Sequence, residues 1–146
     1  MGILPFLKNQ LVPTLQRCVH DNSYSTLSLL FNDTFYVMDS ERAIQRQYTD
    51  LTMFVRSTMR QYQLLDFVLE FKFVKLSAMD MTAEQVRQTP RKTLANHIAI
   101  KKPLADAKQQ LTHYRQALEK KYQQPERLHC LAVVAIGFER LVWEKV

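Results

Sequence analysis

Leu64-Leu-Asp-Phe-Val-Leu-Glu-Phe-Lys-Phe-Val-Lys75 is dense in aromatic and β-branched residues, the composition of a strand fitted to a pleated, buried surface. Side chains alternate faces along a strand, so Phe67, Leu69, Phe71 and Phe73 share one face, while Val68, Glu70, Lys72 and Val74 share the other. Glu70 and Lys72 therefore point the same way, roughly 6 to 7 Å apart. Two charges in such a strand are costly unless they meet each other, a metal ion or solvent in a cleft.

Tyr48 to Arg56 has the same strand composition, and the polar stretch Ser57-Thr-Met-Arg-Gln-Tyr-Gln63 separates the two, so together they predict an antiparallel pair. The connection contains no Gly, Pro or Asn, the residues that usually mark a turn. A hairpin centred near Arg60 pairs residues whose numbers sum to about 120, which sets Asp50 opposite Glu70 within roughly 5 Å. Asp66 shares the strand and face of Glu70, but four residues put it about 13 Å away, too far to share an ion. Two facing carboxylates repel unless a cation lies between them. A hard divalent ion such as Mg²⁺, or Mn²⁺, takes oxygen ligands, relieves that repulsion and activates water for phosphodiester attack. Lys72 is placed to orient that water or to neutralise charge developing on the phosphate.

Outward from this pair, Ile3 to Val19 places Leu7, Leu11, Leu15 and Cys18 or Val19 at helical spacing, with Pro13 set to kink or restart the helix. A second helix is expected from Tyr24 to about Phe35, capped by Asn22 or Ser23, and a strand over Phe35 to Ala43. Beyond Lys75, Leu76 to Pro103 reads as a long connection with a short helix at Thr82 to Gln88, opened by a Thr82-x-x-Gln85 capping box and ended by Pro90. Another turn of helix is expected at Arg91 to His97. Pro103 sits where a helix would begin, and Leu104, Ala107, Leu111, Tyr114 and Leu118 make an apolar stripe along it to about Tyr122. Leu131-Ala-Val-Val-Ala-Ile136 has the continuous apolar character of a buried central strand, and Leu141-Val-Trp143 follows Gly137 as a last strand. The order implies an α/β fold with a central mixed β-sheet flanked by helices. We expect one domain over 1–146, with N-terminal helices over about 3–35 and a core over about 36–146.

Composition is that of a soluble globular chain, 47% hydrophobic and 23% charged, with no run approaching the roughly 18 apolar residues needed to span a bilayer. The first residues lack the pattern of a secretory signal, so a cytoplasmic location without membrane partners is expected. Cys18 and Cys130 have no CxxC partner, and His20, His97, His113 and His129 are scattered, which argues against a disulfide or a transition-metal site. The net charge is +6 and the pI about 9.4, favouring an anionic partner. Arg87 to Arg127 holds ten basic residues against three acids, a local excess of seven. Among these, Lys101, Lys102, Lys108 and Arg115, together with Tyr114, are the candidates for contact with a nucleic acid.

At this point the chain resembles the PD-(D/E)XK nuclease superfamily, which carries an acid at the start of one core strand and Glu-x-Lys on the next. Its RecB-like branch adds Gln-x-x-x-Tyr on the following helix. The matching positions are Tyr48-Thr49-Asp50, Glu70-Phe71-Lys72 and Gln110-Leu-Thr-His-Tyr114, in the required order. More closely, Val68 to Phe73, Gln109 to Leu118 and Ala132 to Val142 look like the C-terminal nuclease domain of bacterial and archaeal AAA-ATPase-like proteins, over most of residues 24–146. The resemblance implies a restriction-endonuclease-like core. It also implies Mg²⁺ or Mn²⁺ held by Asp50 and Glu70, with Glu41 in support, and catalytic roles for Lys72 and Gln110. DNA rather than RNA is the implied substrate and an ATPase domain the implied partner. A Gly-Arg-Ala type lead before the acid is replaced here by Gln47-Tyr48-Thr49. The usual ATPase domain does not precede the nuclease-like part, so a fragment or a shortened protein is expected.

Each feature also has a plainer reading. Glu-x-Lys on a strand is commonly a surface ion pair, Gln110 and Tyr114 one turn apart make an ordinary hydrogen bond, and a basic helix is often only a solvated face. The main alternative is therefore a non-catalytic module that keeps the fold to bind nucleic acid or protein, and a further one is a truncated product that forms homo-oligomers.

Overall fold

The computed structural model describes residues 3–21, 36–40, 48–56, 66–122 and 125–146. Its centre is β3 (Asp66–Val74), in which every residue but Phe73 is buried. β2 (Tyr48–Val55) pairs with it antiparallel, and β1 (Tyr36–Ser40) pairs antiparallel with β2. On its other side β3 pairs in parallel with β4 (Leu128–Ile136), and β5 (Arg140–Lys145) pairs antiparallel with β4. The sheet is thus mixed, in the order β1-β2-β3-β4-β5. The apolar run expected as the central strand lies in β4, a buried interior strand next to the central β3, and β4 begins at Leu128, three residues before that run. Gly137 turns the chain from β4 to β5 with φ of 53°, a backbone conformation that costs glycine nothing, and its N–H donates to the Val74 carbonyl at 2.8 Å.

A parallel pair needs a long crossover, and everything between Val74 and Leu128 supplies it. A 3₁₀ turn (Leu76–Met79) leads to α3 (Ala83–Gln88), α4 (Arg91–Ala95) and α5 (Ile98–Tyr122). The Thr82–Gln85 capping box forms as expected, each side chain taking the other residue's backbone N–H. The start of α5 differs from expectation: the helix begins at Ile98, and Pro103 lies inside it. His97 is the reason, because its Nδ1 accepts the Ala99 N–H at 3.0 Å and its carbonyl accepts from Ile100 and Lys101, so the helix has a cap upstream of the proline. Pro103 lacks an N–H for the carbonyl four residues back, a loss tolerated here in the second turn.

The two faces of the sheet are covered by different parts of the chain. α1 (Ile3–Phe6), a π-helical stretch (Leu7–Leu11) and α2 (Val12–Asp21) form one cover. The wider winding, with the Val12 N–H donating to the Leu7 carbonyl, immediately precedes Pro13 and absorbs the hydrogen bond that proline cannot make. Leu7, Leu11, Leu15 and Cys18 pack there against Phe67, Leu69, Phe71, Leu131, Val133 and Trp143. On the opposite face Met79, Val86, Leu94, Ile100, Leu104, Ala107 and Leu111 pack against Val68, Cys130, Ala132, Val134 and Ile136. Cys18 and Cys130 are buried on opposite faces of the sheet and are not joined by a disulfide. Tyr114 departs from the expected apolar stripe: it is 46% exposed, and the inward row of α5 runs through Ile100, Leu104, Ala107 and Leu111. The side chain of Leu118, the helix expected at 24–35 and the turn at 57–63 lie outside the described residues. No helix among the described residues is long and apolar enough to cross a membrane.

Leu69 is fully buried between strand neighbours and the α1–α2 cover. Leu69→Ala is expected to lower unfolding free energy by about 2–5 kcal/mol, and Thr82→Ala by about 1 kcal/mol, each read from the urea midpoint at unchanged slope.

Candidate active site

β3 carries three buried polar residues, Asp66, Glu70 and Lys72, at 2, 9 and 4% exposure. Alternation puts all three on the α5 side of the sheet, with Val68 and Val74. Lys72 Nζ stands 3.6 Å from Glu70 Oε1, so the two charges meet as an ion pair inside the sheet. Across the β2–β3 ladder, Asp50 occupies the register position opposite Glu70, and Tyr48 the position opposite Lys72. Those pairs sum to 120, the value a hairpin centred at residue 60 requires. Glu41 lies outside the described residues.

Asp66 has a different task, one that strand composition does not reveal. Its Oδ1 accepts the Val55 N–H at 2.7 Å in a buried contact, tying the end of β2 to the start of β3. This bond holds the ladder beyond its last register pair, Met53 with Phe67. The two acids on β3 thus divide between framing the pair of strands and serving the candidate site.

Gln110 and Tyr114 sit one turn apart on α5, both exposed, beside an open hollow of about 600 Å³. Among the described residues its lining is Gln109, Gln110, Thr112, His113, Tyr114 and Gln116. The basic residues proposed for nucleic-acid contact are more engaged than the local charge count implies. Lys108 pairs with Glu144 at 2.7 Å, Arg115 with Glu119 at 2.8 Å and Lys102 with Asp106 at 3.0 Å. Arg87 pairs with Glu139, and the Arg91 guanidinium lies 4.1 Å over the Trp143 ring. Two of these acids, Glu139 and Glu144, belong to β5 and its turn, outside the window in which the sequence count was made. Lys101 is exposed at the start of α5. Arg140 is structural: its guanidinium donates to the carbonyls of Val86, Arg87 and Thr89 at 2.7 to 3.1 Å, satisfying the end of α3. No pattern in the sequence signals that contact, because it joins residues more than fifty positions apart.

His129 lies on β4, its ring 5.8 Å from that of Phe67, and its Nδ1 is buried without a hydrogen-bond partner among the described residues. Burial first, then the positive charges of Lys145 and Arg115, hold its pKa below the ordinary 6.5. Burial also pushes the Cys130 thiol up, against a weaker downward pull from Arg115, so it stays protonated.

With this geometry in place, a comparison with family models matches residues 21–145 to the PD-(D/E)XK nuclease superfamily. The chain belongs to the PD-(D/E)XK nuclease superfamily. Searches of curated proteins and of solved structures find no match. Membership suggests a nuclease-type function and is consistent with the mixed α/β sheet. PD-(D/E)XK nucleases typically use divalent metals. The donor chemistry here suits a hard cation: Glu70 supplies a carboxylate, a second acid stands at the opposing register position, and the remaining ligands of such an ion are commonly waters. Among the described residues, no group of three or more His, Cys, Asp or Glu side chains is placed to hold a metal.

Two measurements follow from this geometry. Lys72→Met removes the ammonium beside buried Glu70 and is expected to cost about 3–5 kcal/mol, most of which Glu70→Gln in the same chain should restore. A double-mutant cycle by denaturant titration reads the coupling, and additive losses would show that the pair does not interact. His129 stays neutral in the fold at pH values where the unfolded chain takes up a proton. Its contribution to stability is therefore complete above about pH 6.5 and is lost as pH falls from there toward the lowered folded value. Thermal melts of His129→Phe across pH 5 to 8 should show a shallower acid-side decline than the parent.

Proposed function

We propose that the chain is a divalent-metal-dependent nuclease that hydrolyses DNA phosphodiester bonds. The observation that carries this reading is the register of Asp50 against Glu70, two residues from Lys72 on one buried strand face. Asp50 and Glu70 would hold Mg²⁺ or Mn²⁺, with Glu41 in support, and the bound ion would supply Lewis-acid stabilisation and an activated water. Lys72 stands beside the same carboxylate and offers a fixed positive charge to the phosphate as negative charge builds on its oxygens. Its burial strengthens that effect, since a preformed cation in a low-dielectric setting needs no reorganisation as the reaction proceeds. Gln110 would position Lys72 or the substrate, and Tyr114, Arg115, Lys108, Lys101 and Lys102 would contact the nucleic acid. An AAA-ATPase partner, a cytoplasmic setting and homo-oligomer formation extend this proposal and rest on the sequence reading alone.

A module that only binds nucleic acid by charge draws less support. A binding-only role gives no reason to keep Glu70 and Lys72 inside the sheet.

The test is cleavage of end-labelled single- and double-stranded DNA, with RNA in parallel, by purified full chain in Mg²⁺ or Mn²⁺. Cleavage is expected, and EDTA should abolish it. Glu70→Ala and Asp50→Ala should abolish cutting while leaving binding largely intact, and Lys72→Ala should slow it about 10²- to 10³-fold. Absence of cleavage with either metal, or full activity in Glu70→Ala, would overturn the proposal.

A further inference from the structure

We propose that Asp66 is a positioning residue for the metal site, one that keeps Asp50 beside Glu70 by locking β2 against β3; this rests on the nuclease reading above. Opposed residues in an antiparallel pair are of two kinds: those that exchange backbone hydrogen bonds stand about 5.5 Å apart at Cα, and those that do not stand about 4.5 Å apart. Two contacts show which kind Asp50 and Glu70 form. The Val74 carbonyl of β3 accepts the N–H of Gly137, the residue after β4, so the backbone of Val74 turns toward β4. Backbone groups alternate sides along a strand, so Glu70 and Lys72 also turn theirs toward β4, while Phe67, Leu69 and Phe71 turn theirs toward β2. From the other strand, the Val55 N–H points toward β3, to Asp66, which gives β2 the same phase. Asp50–Glu70 and Tyr48–Lys72 are therefore both pairs of the close kind.

A cation shared across the ladder depends on that register. A slip of one residue would carry Asp50 to the other face of the sheet, and a slip of two would move it roughly 6 to 7 Å along the strand. Turn chemistry usually pins a hairpin, but Ser57 to Gln63 contains no Gly, Pro or Asn to do so. Asp66 offers the pin instead. Its Oδ1 accepts the Val55 N–H at 2.7 Å, beyond the last register pair, and a slip in either direction would carry that N–H away from the oxygen. Hydrogen bonds to a carboxylate are roughly twice as strong as neutral ones, and with Asp66 and Val55 at 2 and 4% exposure water has little access to replace this one. Asp66 thereby acts on the metal site through β2, without touching the ion.

The test is Mn²⁺ titration calorimetry on the full chain, with NMR of the same proteins in EDTA. Asp66→Ala is expected to weaken Mn²⁺ binding about ten-fold or more, whereas Asp66→Asn, which keeps an oxygen for the Val55 N–H, should stay within about three-fold of the parent. Leu94→Ala, a core truncation on α4 outside both strands, should lower the melting temperature and leave Mn²⁺ affinity unchanged. In the parent, an NOE between the Hα atoms of Asp50 and Glu70 is expected, because the close kind of pair brings these protons together. It should vanish in Asp66→Ala and persist in Asp66→Asn. If Asp66→Ala does not fold, Asp66→Glu, whose longer side chain misplaces the oxygens, replaces it with the same losses expected. Parental Mn²⁺ affinity or an intact Asp50–Glu70 contact in the Ala or Glu variant, or an equal loss in Asp66→Asn, would overturn the inference. The two readings fail separately. A parent that binds Mn²⁺ but cuts no nucleic acid sinks the nuclease reading alone, parental Mn²⁺ affinity in Asp66→Ala beside normal cleavage sinks this one alone, and a parent that binds no Mn²⁺ sinks both.

Discussion

Glu70 and Lys72 occupy a strand buried on both faces, and their approach to 3.6 Å is the constraint around which the rest of the molecule is arranged. An ion inside a sheet loses its hydration, and only a close opposite charge or a bound ion offsets that loss. The strand can hold the pair because its other face is wholly apolar: Phe67, Leu69 and Phe71 lie against the α1–α2 cover. β3 must also be interior to the sheet, with β2 on one side and β4 on the other. Parallel pairing with β4 forces a long crossover, and that crossover is the helical layer that closes over the charged face.

Acidic residues on and beside this strand show how position separates function from framework. Asp66 and Glu70 share strand and face, yet Asp66 ends its reach at the Val55 amide and holds the two strands in register. A buried carboxylate accepting a backbone N–H is well satisfied where it is. Register then brings Asp50 opposite Glu70 rather than opposite Asp66. Framing acid and candidate site are thus linked, since the bond at Asp66 helps fix the pairing on which the Asp50–Glu70 juxtaposition depends.

The charge of the molecule tells a similar story about distance. A window over Arg87 to Arg127 has a large positive excess, but Glu139 and Glu144 fold back onto Arg87 and Lys108. Such exposed pairs contribute little to stability and open readily, so their effect is to lower the local field rather than to brace the helices. Arg91 over Trp143 and Arg140 at the end of α3 use cations for packing and capping.

Local chemistry alone determined much of this protein. Period-two alternation identified β3 and its charged face, the continuous apolar run identified β4, and Thr82-x-x-Gln85 marked the start of α3. Even the β2–β3 register was legible, because antiparallel pairing makes opposed residue numbers sum to a constant, here 120. Contacts between distant segments were not legible. Tertiary structure decided that α5 starts at a His97 cap rather than at Pro103, that Tyr114 faces outward, that Asp66 serves Val55, and that Glu144 of β5 and Glu139 in the turn before it pair with crossover cations. Alternation and capping act within a few residues, so sequence spacing records them. Ion pairing and shared burial depend on which surfaces the fold brings together, and only the packed sheet and helices settle that.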